Sequence, residues 1–282
     1  MKEAGDYGRF QWYVFISITL NLSVCNLYLY GFSFMEKDPT YFCPKEGNLY
    51  VECSKTYLYD NPDKPYVVNW ESPTSIVNWS ERLDLTRILF ILFVDTNPTT
   101  IGLIGTLFFI GSLIGNLITT RISDFYGRTL LFKVSAFLNI LLMALALYGK
   151  NLYVTLALSL ITGYNHTGRT SLGYCYGSEV LSGSWKTHII TAINVADCNF
   201  YSNLIAGLSL VMSLYFWLVS RNFTYFFSTF LFLSLLTCFS IVWLPESPEF
   251  LIGRKQFTAA RAIVKKIAGW NGRKYEFRGM FV

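Results

Sequence analysis

Charged side chains are scarce in this sequence of 282 residues. They make up 15% of the chain, whereas soluble domains carry about 25%. Hydrophobic residues make up 52% and aromatic residues 18%. This balance excludes an ordinary soluble domain and predicts an integral membrane protein, with the lipid bilayer as its first partner.

Histidine is nearly absent, and so are the residue groupings typical of enzymes. The only histidines are His166 and His188, and there is no glycine-rich phosphate loop and no cysteine–histidine cluster. Cys175 stands between two glycines like the nucleophile of a strand–turn–helix elbow, but it lies in a hydrophobic run without that context. We therefore expect no enzyme, no catalytic residue, no cofactor and no metal site.

The motifs of two other membrane protein classes are also missing. Mitochondrial carriers resemble this chain in length and basic charge, but they repeat a P-x-[DE]-x-x-[KR] motif that does not recur here. Voltage-gated channels need a helix of periodic arginines and a filter loop, and the sequence has neither. Both classes are excluded.

What the sequence does contain is six long hydrophobic runs. A bilayer core about 30 Å thick needs roughly 20 apolar residues per helix. The qualifying runs are 10–34, 99–120, 129–148, 151–175, 188–218 and 223–244. They predict an all-α membrane protein with six transmembrane helices.

Basic residues are concentrated on one predicted side of the membrane. The inner short loops with their edges carry Arg121, Arg128, Lys133 and Lys186, and the tail carries eight more, whereas the opposite short loops hold Lys150 and Arg221. The positive-inside rule then places both termini on the inner side. The predicted units are an inner segment at 1–9, a bundle at 10–244 with an outer loop at 35–98, and a basic inner tail at 245–282.

The tail at 245–282 holds eight basic and three acidic residues. A basic tail can indicate nucleic acid binding, but this one directly follows a hydrophobic run. We therefore expect a membrane-surface or inner aqueous segment, and no nucleic acid partner.

The outer loop holds two cysteines and a glycosylation sequon. Cys43 and Cys53 form either a disulfide, which would suit an oxidising outer side, or two separate thiols. Asn78 begins an Asn-Trp-Ser sequence, which on the outer side is a candidate glycan acceptor.

A patterned set of charges and glycines follows the second predicted helix. It reads Asp124-x2-Gly127-Arg128, after Gly115 and Arg121. A carboxylate and a guanidinium at a tight turn can cap helix ends and pair across helices. The turn resembles the signature loop G-x3-D-x2-G-R-[RK] of the major facilitator superfamily. Its surroundings are similar to the organic cation and anion transporter branch.

Three further stretches resemble that branch, in the same order and spacing. The segment before the second helix is matched by Ser75, Ile76, Val77, Trp79 and Arg87. The fourth helix and the loop after it are matched by Arg169, Gly173, Glu179, Trp185, Lys186 and Thr187. The motif P-E-S-P-R-W-L…G-R…N-G is matched by Pro245, Glu246, Ser247, Pro248, Gly253, Arg254, Asn271 and Gly272. The resemblance covers residues 10–272 and implies the family's first six-helix bundle, a 3+3 inverted repeat, with the start of its central linker.

The chain departs from the family pattern at charged positions. Thr129 and Glu249 stand where basic residues are usual, and Lys186 replaces an arginine and so loses the planar fork. In the family these charges form a cytoplasmic network that opens and closes with transport. The departures predict a weakened network.

Polar residues within the predicted helices are candidates for a substrate cavity, because charges at bilayer depth are expensive and usually functional. The resemblance implies that helices one, two, four and five line such a cavity. The candidates are Asn21, Asn26, Asn165, Arg169, Asn194, Asp197 and Tyr201. Asp197 would attract a cation with Arg169 as counter-charge, or the two would pair as a structural contact.

Two functions follow from these expectations. The 282 residues show one bundle, whereas a transporter of this family rocks two bundles about a central site. We therefore expect a half-transporter kept as an accessory subunit of a larger membrane complex, with protein partners in the plasma membrane or an organelle membrane such as the mitochondrial inner membrane. The alternative is transport of a small organic ion, as a homodimer or with a separate second half.

Overall fold

The structure is a computed structural model, and it describes most of the chain outside two long gaps. The described residues are 8–35, 37–45, 49–54, 57–58, 61, 64–72, 75–79, 102–149, 151–181, 186–188, 190–191 and 214–273, without the side chains of 26–30 and 32–33. Statements below concern these residues.

Five long helices and two shorter ones account for most of the described chain. The long helices are α1 (Arg9–Met35), α2 (Leu103–Tyr126), α3 (Arg128–Tyr148), α4 (Leu152–Val180) and α5 (Phe223–Val242), and the shorter ones are α6 (Pro248–Gly253) and α7 (Phe257–Trp270). The run predicted at 188–218 lies mostly outside the described residues, so the count of six stays a prediction. Among the described helices, α2, α3 and α5 are long and apolar enough to cross a membrane.

The helix ends follow local sequence signals. Asn151 caps α4 by accepting hydrogen bonds from the backbone N–H groups of Tyr153 (3.0 Å) and Val154 (3.5 Å). Asn222 caps α5 in the same way through Thr224 N at 2.9 Å. Such caps satisfy helix N–H groups that have no partner within the helix.

Helices α2 and α4 cross at very short range because glycines line the contact. A Cβ added at Gly111 would lie 2.0 Å from the Leu160 carbonyl oxygen, and one at Gly163 would lie 1.9 Å from that of Phe108. Hydroxyls join the same surface, since Ser159 Oγ donates to the Ile104 carbonyl at 2.6 Å. Small residues permit this approach where lipid offers no hydrophobic driving force.

A small β-sheet makes the fold depart from the all-α prediction. Strand β1 (Tyr41–Lys45) pairs antiparallel with β2 (Leu49–Cys53) and with β3 (Val67–Val68). The sheet lies in the predicted outer loop, outside the hydrophobic runs from which the prediction was made. A disulfide joins Cys43 to Cys53, with the Cα atoms 5.8 Å apart.

Beside the sheet, a short segment ties together the ends of three helices; we call this the sheet end of the bundle. Trp79 is fully buried, and its Nε1 donates to the Ala146 carbonyl of α3 at 3.2 Å. The backbone of Val77 bonds with Arg221 O (2.8 Å) and Phe223 N (3.1 Å) at the start of α5.

Asn78 completes the sheet end. Its buried Nδ2 donates to the carbonyls of Phe34 (2.8 Å) and Lys37 (2.7 Å), at the end of α1 and just beyond it. A glycan would be attached to this same nitrogen. The expectation of a glycan acceptor at Asn78 is therefore wrong for the folded chain, because the amide is enclosed and occupied.

Candidate functional site

A charged cluster lies at the opposite end of the bundle, which we call the network end. Its centre is Arg128, the first residue of α3. The guanidinium donates from Nη1 to Asp124 Oδ1 at 2.6 Å and from Nε to Glu179 Oε1 at 3.0 Å. One side chain thereby joins the end of α2, the start of α3 and the end of α4.

Glu246 fixes the start of α3 from the segment that follows α5. Its Oε1 accepts hydrogen bonds from the backbone N–H of Arg128 (3.1 Å), the backbone N–H of Thr129 (3.1 Å) and the Thr129 hydroxyl (3.1 Å). A carboxylate at a helix N-terminus is favoured by both these free N–H groups and the helix dipole. Glu246 therefore works as a helix cap supplied by a distant part of the chain.

Gly127 makes this contact possible. Its φ of +101° is a backbone conformation that residues with a side chain rarely adopt, and a Cβ there would lie 2.6 Å from Glu246 Oε2. Any other residue would strain the turn and push the carboxylate away. The glycine of the signature turn is thus needed for the approach of Glu246.

The remaining motif residues pack around the same turn. Ser247 caps α6 through Phe250 N at 3.3 Å, with Pro248 as the first residue of that helix. Two guanidinium groups lie near the Phe250 ring, with Arg128 at 5.5 Å and Arg254 at 5.7 Å from its centroid. The Arg254 side chain also donates to the Phe125 carbonyl, so α6 is held against the end of α2.

Two further residues of the network end escaped the sequence analysis. Tyr176 donates its hydroxyl to the Pro245 carbonyl at 2.9 Å, and Lys133 donates to the Leu244 carbonyl at 2.8 Å. Lys133 lies within a hydrophobic run and Tyr176 directly follows one, and neither spacing nor neighbours indicated a partner more than sixty residues away.

The predicted weakening of the network fits these contacts poorly. Thr129, at a position that is usually basic in the family, is buried and donates to both Glu246 and Pro245. Glu249, the other altered charge, is exposed beside the cluster. Lys186 is half-buried on a short helical stretch at 186–188. The centre of the network is assembled despite these departures.

Arg169, the second charged feature, lies deep within the bundle on α4. It is fully buried, and Asn21 of α1 accepts its hydrogen bonds: Nε to Oδ1 at 2.9 Å and Nη2 to the backbone O at 2.7 Å. Within the described part of the chain, Arg169 Nη1 and Asn21 Nδ2 have no hydrogen-bond partner. The arginine is held by a neutral amide, and its charge is not balanced by that contact.

Of the other cavity candidates, one makes a contact between helices and the rest have no described side chain. Asn165 is buried and donates to the Ser135 carbonyl of α3 at 2.9 Å, so it joins two helices. Asn26 lies on α1, but its side chain is outside the described set. Asn194, Asp197 and Tyr201 lie outside the described residues altogether, and the proposed pairing of Asp197 with Arg169 stays a prediction.

Comparison with known sequences supports the resemblance. The model of the family described as "Sugar (and other) transporter" matches residues 94–282. The human organic cation/carnitine transporter 2 is 28% identical over 182 residues, covering 62% of this chain and 29% of that protein. The mouse solute carrier family 22 member 4 is 26% identical over 173 residues, covering 59% of this chain and 29% of that protein.

Solved structures show the same fold. The proton:xylose symporter XylE bound to a bromodeoxyglucose superposes with a TM-score of 0.55 at 16% identity, over 90% of this chain and 49% of that one. A partially occluded inward-open XylE from E. coli gives a TM-score of 0.53 at 19% identity, over 90% and 55%. The chain thus spans about half of these solved chains and under a third of the curated relatives. The matches confirm the major facilitator resemblance: this chain is an integral membrane protein that belongs to the sugar (and other) transporter family of that superfamily.

Proposed function

We propose that this protein transports a small organic ion across a membrane, with the described helices forming one side of the transport path. The family and the assembled network end support this proposal. The curated relatives include organic cation/carnitine transporters, and we infer a substrate of that class, a small zwitterion with a carboxylate and a cationic group.

The buried guanidinium of Arg169 is the observation that carries the proposal. A cation at bilayer depth is costly unless it is paired, and Asn21 offers only neutral oxygen atoms. Because Nη1 has no partner among the described residues, a carboxylate of the substrate would supply the missing charge and hydrogen bond. Asp197 is our candidate for the cationic group of the substrate.

The network end would act as the gate on the inner side. Arg128 and Glu246 connect the α2–α3 turn to α4 and to the segment after α5. Such a cluster closes the bundle when assembled and must rearrange when the path opens there. The accessory-subunit hypothesis rested on the single bundle and on the altered motif charges, and the contacts of Thr129 argue only against the second of these grounds.

Uptake by the purified, reconstituted protein tests the proposal. We expect saturable uptake of radiolabelled carnitine, with tetraethylammonium as a cation that lacks the carboxylate. Arg169→Gln should lower carnitine uptake about tenfold or more, because the charged hydrogen bond is lost. Arg169→Lys should retain part of it, since the charge remains without the planar fork. The control is Arg261→Gln, which removes one exposed positive charge from α7.

A second variant keeps the test informative if Arg169→Gln does not fold. Asn21→Asp places a permanent carboxylate beside Arg169, so the protein should fold and lose carnitine uptake. Normal uptake by a folded Asn21→Asp or Arg169→Gln protein would refute the assigned role of Arg169. Absence of saturable uptake of both probes, together with a stable complex with other proteins in mild detergent, would favour an accessory subunit instead.

A further inference from the structure

A basic amphipathic helix lies across the network end of the bundle. Helix α7 buries Ala260, Ile267 and Ala268 and exposes its basic residues. The exposed basic side chains of α7 are Arg261, Lys265 and Lys266. A helix with one apolar and one basic face is typical of segments that lie along a membrane surface.

The last turn of α7 is fixed to the first turn of α1. Asn271 Oδ1 accepts from the backbone N–H of Phe10 at 2.9 Å, and Asn271 Nδ2 donates to Gln11 Oε1 at 3.0 Å. The Trp270 ring meets the Phe10 ring edge to face, with centroids 5.7 Å apart. These contacts join the two helices at this end of the bundle.

A shallow surface crevice, without an enclosed volume, lies at this junction. It is lined by Phe10, Trp243, Pro245, Lys266, Ile267 and Trp270. All of these residues except Lys266 are apolar or aromatic. Trp243 follows the end of α5 and is 61% exposed, a position typical of tryptophans at the boundary between lipid and water.

The charge around the crevice favours an anion. Lys266 is exposed at the edge of the crevice. Its positive charge repels that of Lys133 of α3, whose ammonium group donates a hydrogen bond to the Leu244 carbonyl. Glu246 also acts on Lys133, with the opposite sign, and its carboxylate is held at the start of α3 by the N–H groups and hydroxyl there. Lys266 is thus the basic residue in the lining of an otherwise apolar crevice at the predicted bilayer edge.

We propose that this crevice binds the headgroup phosphate and upper acyl chain of an anionic phospholipid. Lys266 contacts the phosphate, while Trp243 and Trp270 contact the glycerol and the first methylene groups. A soluble phosphate compound fits less well, because the walls offer apolar surface and little hydrogen bonding. The bound lipid would hold α7 against the bundle beside the charged network, at the end where the path is proposed to open.

Native mass spectrometry of the intact protein, titrated with phosphatidylglycerol, tests the proposal. Lys266→Gln should weaken the first phosphatidylglycerol binding step about fivefold, as expected for one basic residue near a lipid surface. Lys265→Gln is the matched control, because it removes the same charge from the neighbouring exposed position, and it should change that step less than twofold. Lys266→Arg should restore binding. Phosphatidylcholine binding should be equal in all variants.

Several outcomes would overturn the proposal. Equal loss in Lys266→Gln and Lys265→Gln would show diffuse attraction to the basic tail, and unchanged binding in Lys266→Gln would exclude the crevice. Displacement of the lipid by millimolar inorganic phosphate would show a simple anion site. A Trp243→Leu variant keeps the test independent of the charges: it should also weaken phosphatidylglycerol binding, and unchanged binding there would exclude the apolar wall. Circular dichroism would verify the fold of each variant.

Discussion

The two ends of the helix bundle are held together by different chemistry. At the network end Arg128 makes ion pairs with Asp124 and Glu179, and Glu246 caps α3. At the sheet end the buried contacts of the Asn78 amide and Trp79 indole with backbone carbonyls are neutral, and the Arg221 guanidinium also meets backbone carbonyls rather than carboxylates. Charged contacts respond to salt and to a competing charge, whereas enclosed neutral contacts do not.

This difference suggests that the two ends of the bundle have different roles. A gate needs contacts that can be exchanged at low cost, because opening and closing must be nearly balanced. The charged end meets that need. The enclosed indole and amide at the sheet end fix the helices through backbone carbonyls and are shielded from water. We therefore expect the sheet end to contribute more to stability and the network end to control conformation.

The largest expected effect is the loss of Trp79. Trp79→Ala removes a fully buried side chain and its hydrogen bond to Ala146, which should lower the free energy of unfolding by about 3 kcal/mol. Trp70→Ala, at an exposed tryptophan of the same loop, is the matched control and should change it little. Denaturant unfolding in detergent measures both. If Trp79→Ala lowered the free energy of unfolding by less than Glu246→Ala, described next, the proposed ranking of the two ends would be wrong.

The loss of Glu246 should have the next largest effect. Glu246→Ala removes the acceptor of the Arg128, Thr129 and Ser247 backbone N–H groups. The Thr129 hydroxyl keeps the Pro245 carbonyl as its acceptor, and the substitution should cost about 2 kcal/mol. Glu246→Gln keeps an acceptor oxygen and should cost about half as much. Glu249→Gln removes the neighbouring exposed carboxylate as a control. Equal losses in Glu246→Ala and Glu249→Gln would refute the capping role.

Helix positions were predictable from the sequence where they depended on local hydrophobicity. The run at 10–34 corresponds to α1 at Arg9–Met35, and that at 129–148 to α3 at Arg128–Tyr148. The run predicted to end at 120 continues as α2 to Tyr126. The last turns of α2 are polar because they extend beyond the apolar layer. A hydropathy criterion takes such a change to polar residues as the end of the helix.

Long-range partners were not predictable from local patterns. Arg169 was recognised as a candidate, but its contact with Asn21 spans 148 positions and has no spacing signal. The same holds for Tyr176 and Pro245, 69 positions apart. The sheet was missed for another reason. It lies outside the long hydrophobic runs on which the helix prediction rested, although the disulfide between Cys43 and Cys53 links two of its neighbouring strands.

The smallest expected effects distinguish the two partners of Arg128, and they show what governs the charged end. By distance alone Asp124, at 2.6 Å, would be the stronger partner, compared with 3.0 Å for Glu179. Exposure argues the reverse, because the Asp124 side chain is 60% exposed and that of Glu179 only 15%. Water and salt screen an exposed pair. Loss of a partly buried carboxylate also leaves the arginine without compensation.

We therefore expect Glu179→Gln to lower the free energy of unfolding by about 1 kcal/mol, and Asp124→Asn by only about 0.3 kcal/mol. The Asp124 effect should vanish in high salt, whereas most of the Glu179 effect should persist, because a shielded pair is screened less. Denaturation at low and high ionic strength measures both. An Asp124 effect equal to or larger than that of Glu179 would show that distance rather than burial governs the charged end, and the network would then be a surface feature unsuited to closing a path through the bundle.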